Sequence, residues 1–308
     1  MRAVVLTLLL ALAGCIPITR EGGPFPGSAR EERLPKPVNI RPGPGTYTAA
    51  DGTAIAYEVR GSGEPTLVFI HCWACDRSYW RHQVEEFSKT QRVLVMDLAG
   101  HGTSGKDRSN WTIEGLGEDV AGLVTSLALP DVVLVGHSMG GPVSLVAAGK
   151  LPGKVRGIVC ADTLHDAQTP APRARVDELA AAFEKDFPGA MNQLVQAMFP
   201  PGVDAPVMQE VLTKASTVEH GPAIGLFRDF PNFDAQAALQ NAGVPIRCIN
   251  AAARPPFTPE TAVEVNRRFA DFDAVLMEDI GHYVQLERPQ EFNENLRFMM
   301  KDFPAPRK

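Results

Sequence analysis

No stretch of this 308-residue sequence reaches the roughly 20 consecutive apolar residues that a membrane-spanning helix needs. The N-terminal apolar run, Ala3 to Ala13, is about half that length. A basic stripe is also missing. Lys and Arg number 30 against 36 Asp and Glu, the formal charge is −6, and the cations fall singly or in pairs, which excludes a nucleic-acid partner. No internal repeat and no low-complexity segment interrupts the region beyond residue 45. Cysteine is scarce, with 5 in the chain. The one C-x-x-C spacing, Cys72 and Cys75, has no second pair and no flanking histidine cluster, so neither a metal nor a thioredoxin-like centre is expected. In an oxidising compartment the two could form a local disulfide. Cys160 and Cys248 fall inside apolar strands and read as packing residues. With 44% hydrophobic residues the chain has ample material for one large buried core.

What is present begins with a leader. Met1 and Arg2 precede the apolar run, which ends at the small residues Ala13 and Gly14 before Cys15, the layout of a secretory signal peptide. The tetrapeptide Leu12-Ala13-Gly14-Cys15 resembles a bacterial lipobox, which implies a lipidated Cys15 as the first mature residue and a lipid-anchored protein of the cell envelope. Ile16, rather than Asp, implies by the same resemblance an outer-membrane destination where the host has one. An ordinary secretory leader that contains a Cys is the alternative. Residues 16–45 are rich in Pro and Gly and keep neither a period of 2 nor one of 3.6, so they read as a tether. Function is expected in residues 46–308.

Beyond the tether, Thr46 to Arg60 alternates around Asp51-Gly52 and predicts a hairpin. Strands are then expected at Thr66 to His71, Arg92 to Asp97, Val132 to Gly136 and Val155 to Ala161. Helices follow from the spacing of Ile113, Leu116, Val120, Leu123, Val124 and Leu127, and from Ser138 to about Lys150. From about 164 to 241 the pattern turns helical, with no strand. It resumes with Val244 to Asn250, a helix from about Pro259 to Phe269, a strand at Asp273 to Met277 and a terminal helix from about Pro289 to Asp302. This order predicts an α/β fold: a mostly parallel central sheet, helices on both faces, and a helical cap inserted into one domain. Caps of this kind cover the strand ends where ligands bind.

The chemistry is written most clearly at Val132 to Gly141, an apolar strand, then Gly136-His137-Ser138-Met139-Gly140, then a small-residue helix start. A sharp strand-to-helix turn lifts the Ser138 oxygen clear of the backbone, and the flanking glycines let neighbouring chain pass without a Cβ clash. The helix behind the turn aims N–H groups at developing negative charge. The segments His71-Cys72-Trp73, Asp97-Leu98-Ala99-Gly100-His101-Gly102-Thr103-Ser104, Gly136 to Gly140 and Gly281-His282 stand in an order and spacing that resemble the capped α/β-hydrolases. That resemblance covers about residue 46 to 308 and implies an eight-strand-type sheet with Ser, acid and His in that order along the chain.

His282 follows the last expected strand after Gly281, where a loop can carry an imidazole over Ser138, and an imidazole titrates in the range a general base needs. His137, inside the turn, is expected to support the pocket. Asp97, His101 and Ser104 are read as loop-shaping. In most members of the family the acid follows the strand after the cap. Here that strand runs into Asn250-Ala251-Ala252-Ala253-Arg254-Pro255-Pro256, with no carboxylate. Some members carry the acid after the preceding strand, where this chain has Asp162; Asp162 is therefore assigned as the orienting acid, with Asp166 held in reserve. An Asp at that strand end can also serve only to cap the next segment. The loop His71-Cys72-Trp73 resembles a segment whose third residue donates a backbone N–H, so Trp73 and Met139 are the expected oxyanion donors.

The residues thus predict a serine hydrolase that cleaves a small or medium hydrophobic ester through an acyl-enzyme. Neither a metal nor an organic cofactor is implied. Amidase, lactonase, C–C hydrolase and perhydrolase chemistry share the same site and stay open. A tethered binding protein that has lost turnover is the reading from outside enzymology, motivated by Arg254 at the usual acid position.

Overall fold

In the computed structural model, residues 40–169, 171–199, 205–251 and 259–305 are described. The expected signal peptide with Cys15, the tether up to residue 39, and Arg254 with its neighbours lie outside the described residues.

The chain opens with β1 (Gly43–Thr48) and β2 (Ala54–Arg60), then alternates through β3 (Thr66–Ile70), α1 (Arg81–Phe87), β4 (Val93–Met96), α2 (Ile113–Ser126), β5 (Val132–His137), α3 (Gly140–Lys150) and β6 (Val155–Ala161). The helices α4 (Arg173–Lys185), α5 (Phe187–Met198), α6 (Ala205–Ala215), α7 (His220–Asp229) and α8 (Ala235–Ala242) separate β6 from β7 (Ile246–Ala251). Then come α9 (Pro259–Asn266), β8 (Phe272–Met277), α10 (Val284–Glu287) and α11 (Pro289–Met300).

One sheet holds the eight strands in the order β1-β2-β4-β3-β5-β6-β7-β8. β2 is antiparallel to β1 and β4, and every other neighbouring pair is parallel. The parallel register brings the C-terminal tips together: Ile70 faces Gly136, His137 faces Ala161, and Ala251 faces Met277. The loops that leave β3, β5, β6, β7 and β8 therefore converge on one edge of the sheet, where ligands of open α/β sheets bind.

The period-2 alternation of a strand sends neighbours to opposite faces. Val68, Ile70 and Leu134 join one buried cluster with Leu116, Val120 and Val143 of α2 and α3. Leu67, Phe69, Val133 and Val135 join another with Phe87 of α1 and Phe292, Leu296 and Met299 of α11. Each such side chain, fully buried, contributes about 1.5–3 kcal/mol relative to exposure. Helix starts are fixed by caps: the Thr112 hydroxyl accepts from Gly115 N–H at 3.0 Å before α2, and Asp234 accepts from Ala237 N–H at 2.9 Å before α8. α8 stops at Gly243, which takes the left-handed backbone (φ 63°) of a C-terminal cap.

Several boundaries differ from the sequence expectation for local reasons. β1 starts at Gly43, inside the span read as tether. α3 starts at Gly140 rather than Ser138, because Ser138 has φ 51° and cannot continue a right-handed helix. β7 starts at Ile246 rather than Val244, since Pro245 has no N–H for a ladder. α1 and α10 are too short to leave a helical period in the sequence.

Candidate active site

The turn after β5 is held by close backbone packing. A Cβ on Gly136 would run into the carbonyl of Gly140, and one on Gly140 would run into the carbonyl of Ile70 and stand 3.0 Å from that of His71. Between these glycines Ser138 adopts a left-handed φ of 51°, a strain of about 1–3 kcal/mol for a non-glycine residue. Two bonds hold it there. Ser138 N–H donates to Ala161 O at 2.9 Å, and Ser138 O accepts from Gly141 N–H at 2.9 Å. The first ties the turn to the tip of β6, whose next residue is Asp162.

His282 lies in the loop between β8 and α10, and both of its backbone groups are bonded. Its N–H donates to Met198 O at the end of α5 at 3.0 Å, and its carbonyl accepts from His137 Nε2 at 2.9 Å. His137 Nε2 must carry the proton, because a carbonyl only accepts. His137 Nδ1 then accepts from Gln285 Nε2 at 3.1 Å, so the ring is neutral in one tautomer. Burial, and then the nearby His282, push the His137 pKa down to about 3. His137 is thus a buried strut beneath His282, their ring centroids 4.7 Å apart. Glu287 secures the loop from the other end: it accepts from Gly281 N–H at 2.9 Å and Tyr283 N–H at 3.0 Å, the residues on either side of His282.

Asp162 meets His282 directly. Its Oδ2 stands 2.6 Å from His282 Nδ1, the spacing of a charge-assisted bond. Like Ser138, Asp162 has a positive φ, 45°. Burial acts to raise its carboxyl pKa, but the bonds from His165 and His282 outweigh it and hold the group well below the usual carboxylate range. Asp162 is therefore ionised at neutral pH. Asp166 is not brought to this site: its carboxylate accepts from Gln168 N–H at 2.8 Å and from the Thr169 hydroxyl at 2.6 Å in an exposed turn.

With Nδ1 committed to Asp162, Nε2 is the His282 nitrogen left for Ser138. Ser138 is one residue from the His137 strut and bonded through its N–H to the residue before Asp162, so Ser138, His282 and Asp162 share one strand-tip cluster. Among the described residues the Ser138 hydroxyl makes no hydrogen bond; a Ser–His contact that tightens only when substrate is bound is common in resting hydrolases.

The loop after β3 is braced by two buried imidazoles. His71 Nδ1 donates to Cys72 O at 2.8 Å while its Nε2 accepts from Leu98 N–H at 2.9 Å. His101 Nδ1 donates to Ala99 O at 3.0 Å while its Nε2 accepts from Ala74 N–H at 3.2 Å. A disulfide joins Cys72 to Cys75 across Trp73 and Ala74, with a Cα–Cα distance of 5.3 Å. The Trp73 indole donates to Ala223 O of α7 at 2.8 Å and packs on Phe183 and Phe227. Met139 opens α3 immediately after Ser138. Among the described residues no protein acceptor takes the backbone N–H of Trp73 or of Met139, and the packing of Gly140 on Ile70 and His71 sets the two loops side by side.

Asp97 and Ser104 shape their own loop, as expected: Asp97 accepts from Thr103 N–H at 2.8 Å and from Arg77, and the Ser104 hydroxyl donates to Asp97 O at 2.6 Å. Among the described residues, no group of three or more His, Cys, Asp and Glu side chains is placed to hold a metal ion. His165, Asn250, Met198 and Glu287, each of which touches Asp162, His282 or their neighbours, were not singled out from the sequence; the contacts of Asn250 and Met198 span more than 80 residues of chain, whereas His165 meets Asp162 and Glu287 meets Gly281 and Tyr283 within a few residues.

A model of the alpha/beta hydrolase family matches residues 67–295. The chain is 26% identical over 267 residues to 3-oxoadipate enol-lactonase 2 of Acinetobacter baylyi, covering 84% of this chain and 97% of that protein. It is 25% identical over 256 residues to the pimeloyl-[acyl-carrier protein] methyl ester esterase of Nitrosospira multiformis, covering 79% of this chain and 97% of that protein. Among solved structures, a thermophilic esterase from Thermogutta terrifontis superposes with a TM-score of 0.74 at 23% identity, covering 84% of this chain and 98% of its own, a likeness of fold.

Proposed function

Since the chain belongs to the alpha/beta hydrolase family, we propose that it is a serine hydrolase that cleaves carboxylic esters, with Ser138 as nucleophile, His282 as general base and Asp162 as orienting acid. The observation that carries this reading is the 2.6 Å contact between His282 Nδ1 and Asp162 Oδ2, at the strand tips beside the left-handed Ser138.

In the first half-reaction His282 Nε2 removes the Ser138 proton as Oγ attacks the ester carbonyl. The oxyanion that forms is met by the N–H groups of Trp73 and Met139, each contributing about 3 kcal/mol to the transition state. Asp162 holds the imidazole in the Nδ1–H tautomer and stabilises the imidazolium. The C–O bond to the alcohol then breaks and His282 returns the proton to the departing oxygen. Water, deprotonated by the same imidazole, cleaves the acyl-enzyme and releases the acid.

The substrate class is a small or medium ester with an apolar acyl part. Supporting this, the oxyanion loop is backed by an aromatic group, Trp73, Phe183 and Phe227, contributed jointly by the core domain and the cap. A lactone is an internal ester and would follow the same steps, which keeps it within the class. The same reading places the protein on the cell envelope, anchored by a lipid on Cys15, on the strength of Leu12-Ala13-Gly14-Cys15. Two acyl chains or more, at about 0.8 kcal/mol per buried CH₂, give stable membrane residence. Incorporation of labelled palmitate that persists in Cys15→Ser would refute that anchor.

The enzymatic reading is tested with short p-nitrophenyl esters. Turnover should appear in the wild-type protein and vanish in Ser138→Ala; a folded wild-type protein without turnover would favour the tethered binding protein instead.

A further inference from the structure

Asp162 is met by more donors than the orientation of His282 requires. Its Oδ2 faces His282 Nδ1, while Oδ1 accepts from Ala251 N–H at 2.9 Å and stands 3.4 Å from Nε2 of His165. His165 lies in the segment that leads from β6 to α4, so a residue at the entry to the cap reaches the acid oxygen that His282 does not use.

The tautomer of His165 follows from a chain of bonds. Thr163 N–H donates to Asn250 Oδ1 at 3.1 Å. A backbone N–H offers only a donor, so this bond fixes which way the Asn250 carboxamide points. Its NH₂ end is then the group 3.3 Å from His165 Nδ1, and an NH₂ there can only donate. Nδ1 is therefore the bare nitrogen. The ring proton sits on Nε2, the atom nearest Asp162 Oδ1.

We propose that His165, held in one tautomer by Asn250, is a positioning residue that shares the negative charge of Asp162 and so sets how strongly the acid holds His282. The proposal rests on the reading of Asp162 as the orienting acid. A carboxylate whose charge is drawn into more hydrogen bonds attracts a neighbouring imidazolium less. Removing the His165 N–H returns that charge to the His282 side and favours imidazolium. Among the described residues, other titratable groups near the Asp162–His282 pair include His137, Tyr283, Glu287 and the Cys248 thiol, and none of these bonds to Asp162. Asp166, next in sequence to His165, turns its carboxylate toward Gln168 and Thr169.

The arrangement also accounts for the missing acid on β7. The tip of that strand supplies the carboxamide of Asn250 and the N–H of Ala251, two polar groups that support an acid borne by β6.

The test compares His165→Ala, His165→Gln and Asn250→Ala in the full chain, by the pH profile of kcat/KM on a short p-nitrophenyl ester and by 15N NMR titration of the His282 ring. In His165→Ala kcat measured below the acid limb should fall about threefold with KM little changed, because more of His282 is held as imidazolium at a given pH. The acid limb should move to higher pH by about half a unit or more. His165→Gln, whose carboxamide restores an N–H, should recover both, and Asn250→Ala should move the limb the same way by less. Wild-type kcat and limb in His165→Ala would overturn the proposal, as would a lowered kcat with an unmoved limb, the mark of a merely structural role. The NMR shift is read without turnover. If Ser138→Ala proves as active as wild type, the ester reading fails while the His165 test still stands.

Discussion

Ala251 donates its backbone N–H to Asp162 Oδ1 across 2.9 Å, so the tip of β7 braces a carboxylate that springs from the tip of β6. The two strands are adjacent and in register, with Ala161 facing Ile249, so a side chain at the end of one lies beside the backbone at the end of the other.

Asp162→Asn should therefore lower kcat by about 10⁴ while leaving the fold intact, because a carboxamide no longer enforces the imidazole tautomer or stabilises the imidazolium. Asp166→Asn, which alters only an exposed turn, should retain near-wild-type activity. Parallel kcat measurements on the two variants check the assignment; the reverse pattern would move the acid to Asp166.

Glu287→Gln should reduce kcat with a smaller effect on KM. Both carboxylate oxygens accept from the backbone flanking His282, whereas a carboxamide has one acceptor oxygen and would set an NH₂ against the second N–H. Leaving one buried N–H unsatisfied costs about 1–3 kcal/mol, part of which should appear as a displaced His282. A kcat equal to wild type would show that the loop is held by Met198 and His137 alone.

Stability should fall as pH drops below about 6.5, the ordinary histidine value. Burial, then the neighbouring His71, push His101 down to about 3, and burial, then His282, push His137 to the same value. Between pH 6.5 and 3 the unfolded chain binds a proton on each ring that the native state refuses, so unfolding gains with falling pH. Each residue should add about 1.4 kcal/mol per pH unit inside that window and nothing further below it. Urea melts from pH 7 to pH 4 measure the slope, and His101→Gln should lower it by one such share. An unchanged slope in that variant would contradict the buried neutral imidazole.

The sequence made the sheet, the cap insertion and the Ser138 turn legible because each rests on contiguous residues: an apolar strand, a G-x-S-x-G turn and a small-residue helix start have no other comfortable arrangement. His282 was legible from its place after the last strand. Asp162 was legible only through the resemblance, as a carboxylate at the tip of β6 where the tip of β7 carries none, and the structure sets its Oδ2 2.6 Å from His282 Nδ1. The supports of the site were hidden. His165 and Asn250 are 85 positions apart and joined by a side-chain contact that leaves no local period. Met198 reaches His282 through a backbone carbonyl, for which any residue type would serve. Glu287 belongs to α10, a helix too short to show an amphipathic pattern.

The most direct measurement is labelling of the folded protein with a fluorophosphonate, followed by mass mapping of the modified peptide. Modification at Ser138, slowed severely in His282→Ala and in Asp162→Asn, is the predicted result, since only an oxygen activated by that imidazole attacks phosphorus quickly. Folded wild-type protein that stays unlabelled at Ser138, or that labels there at the same rate without His282, would contradict the account.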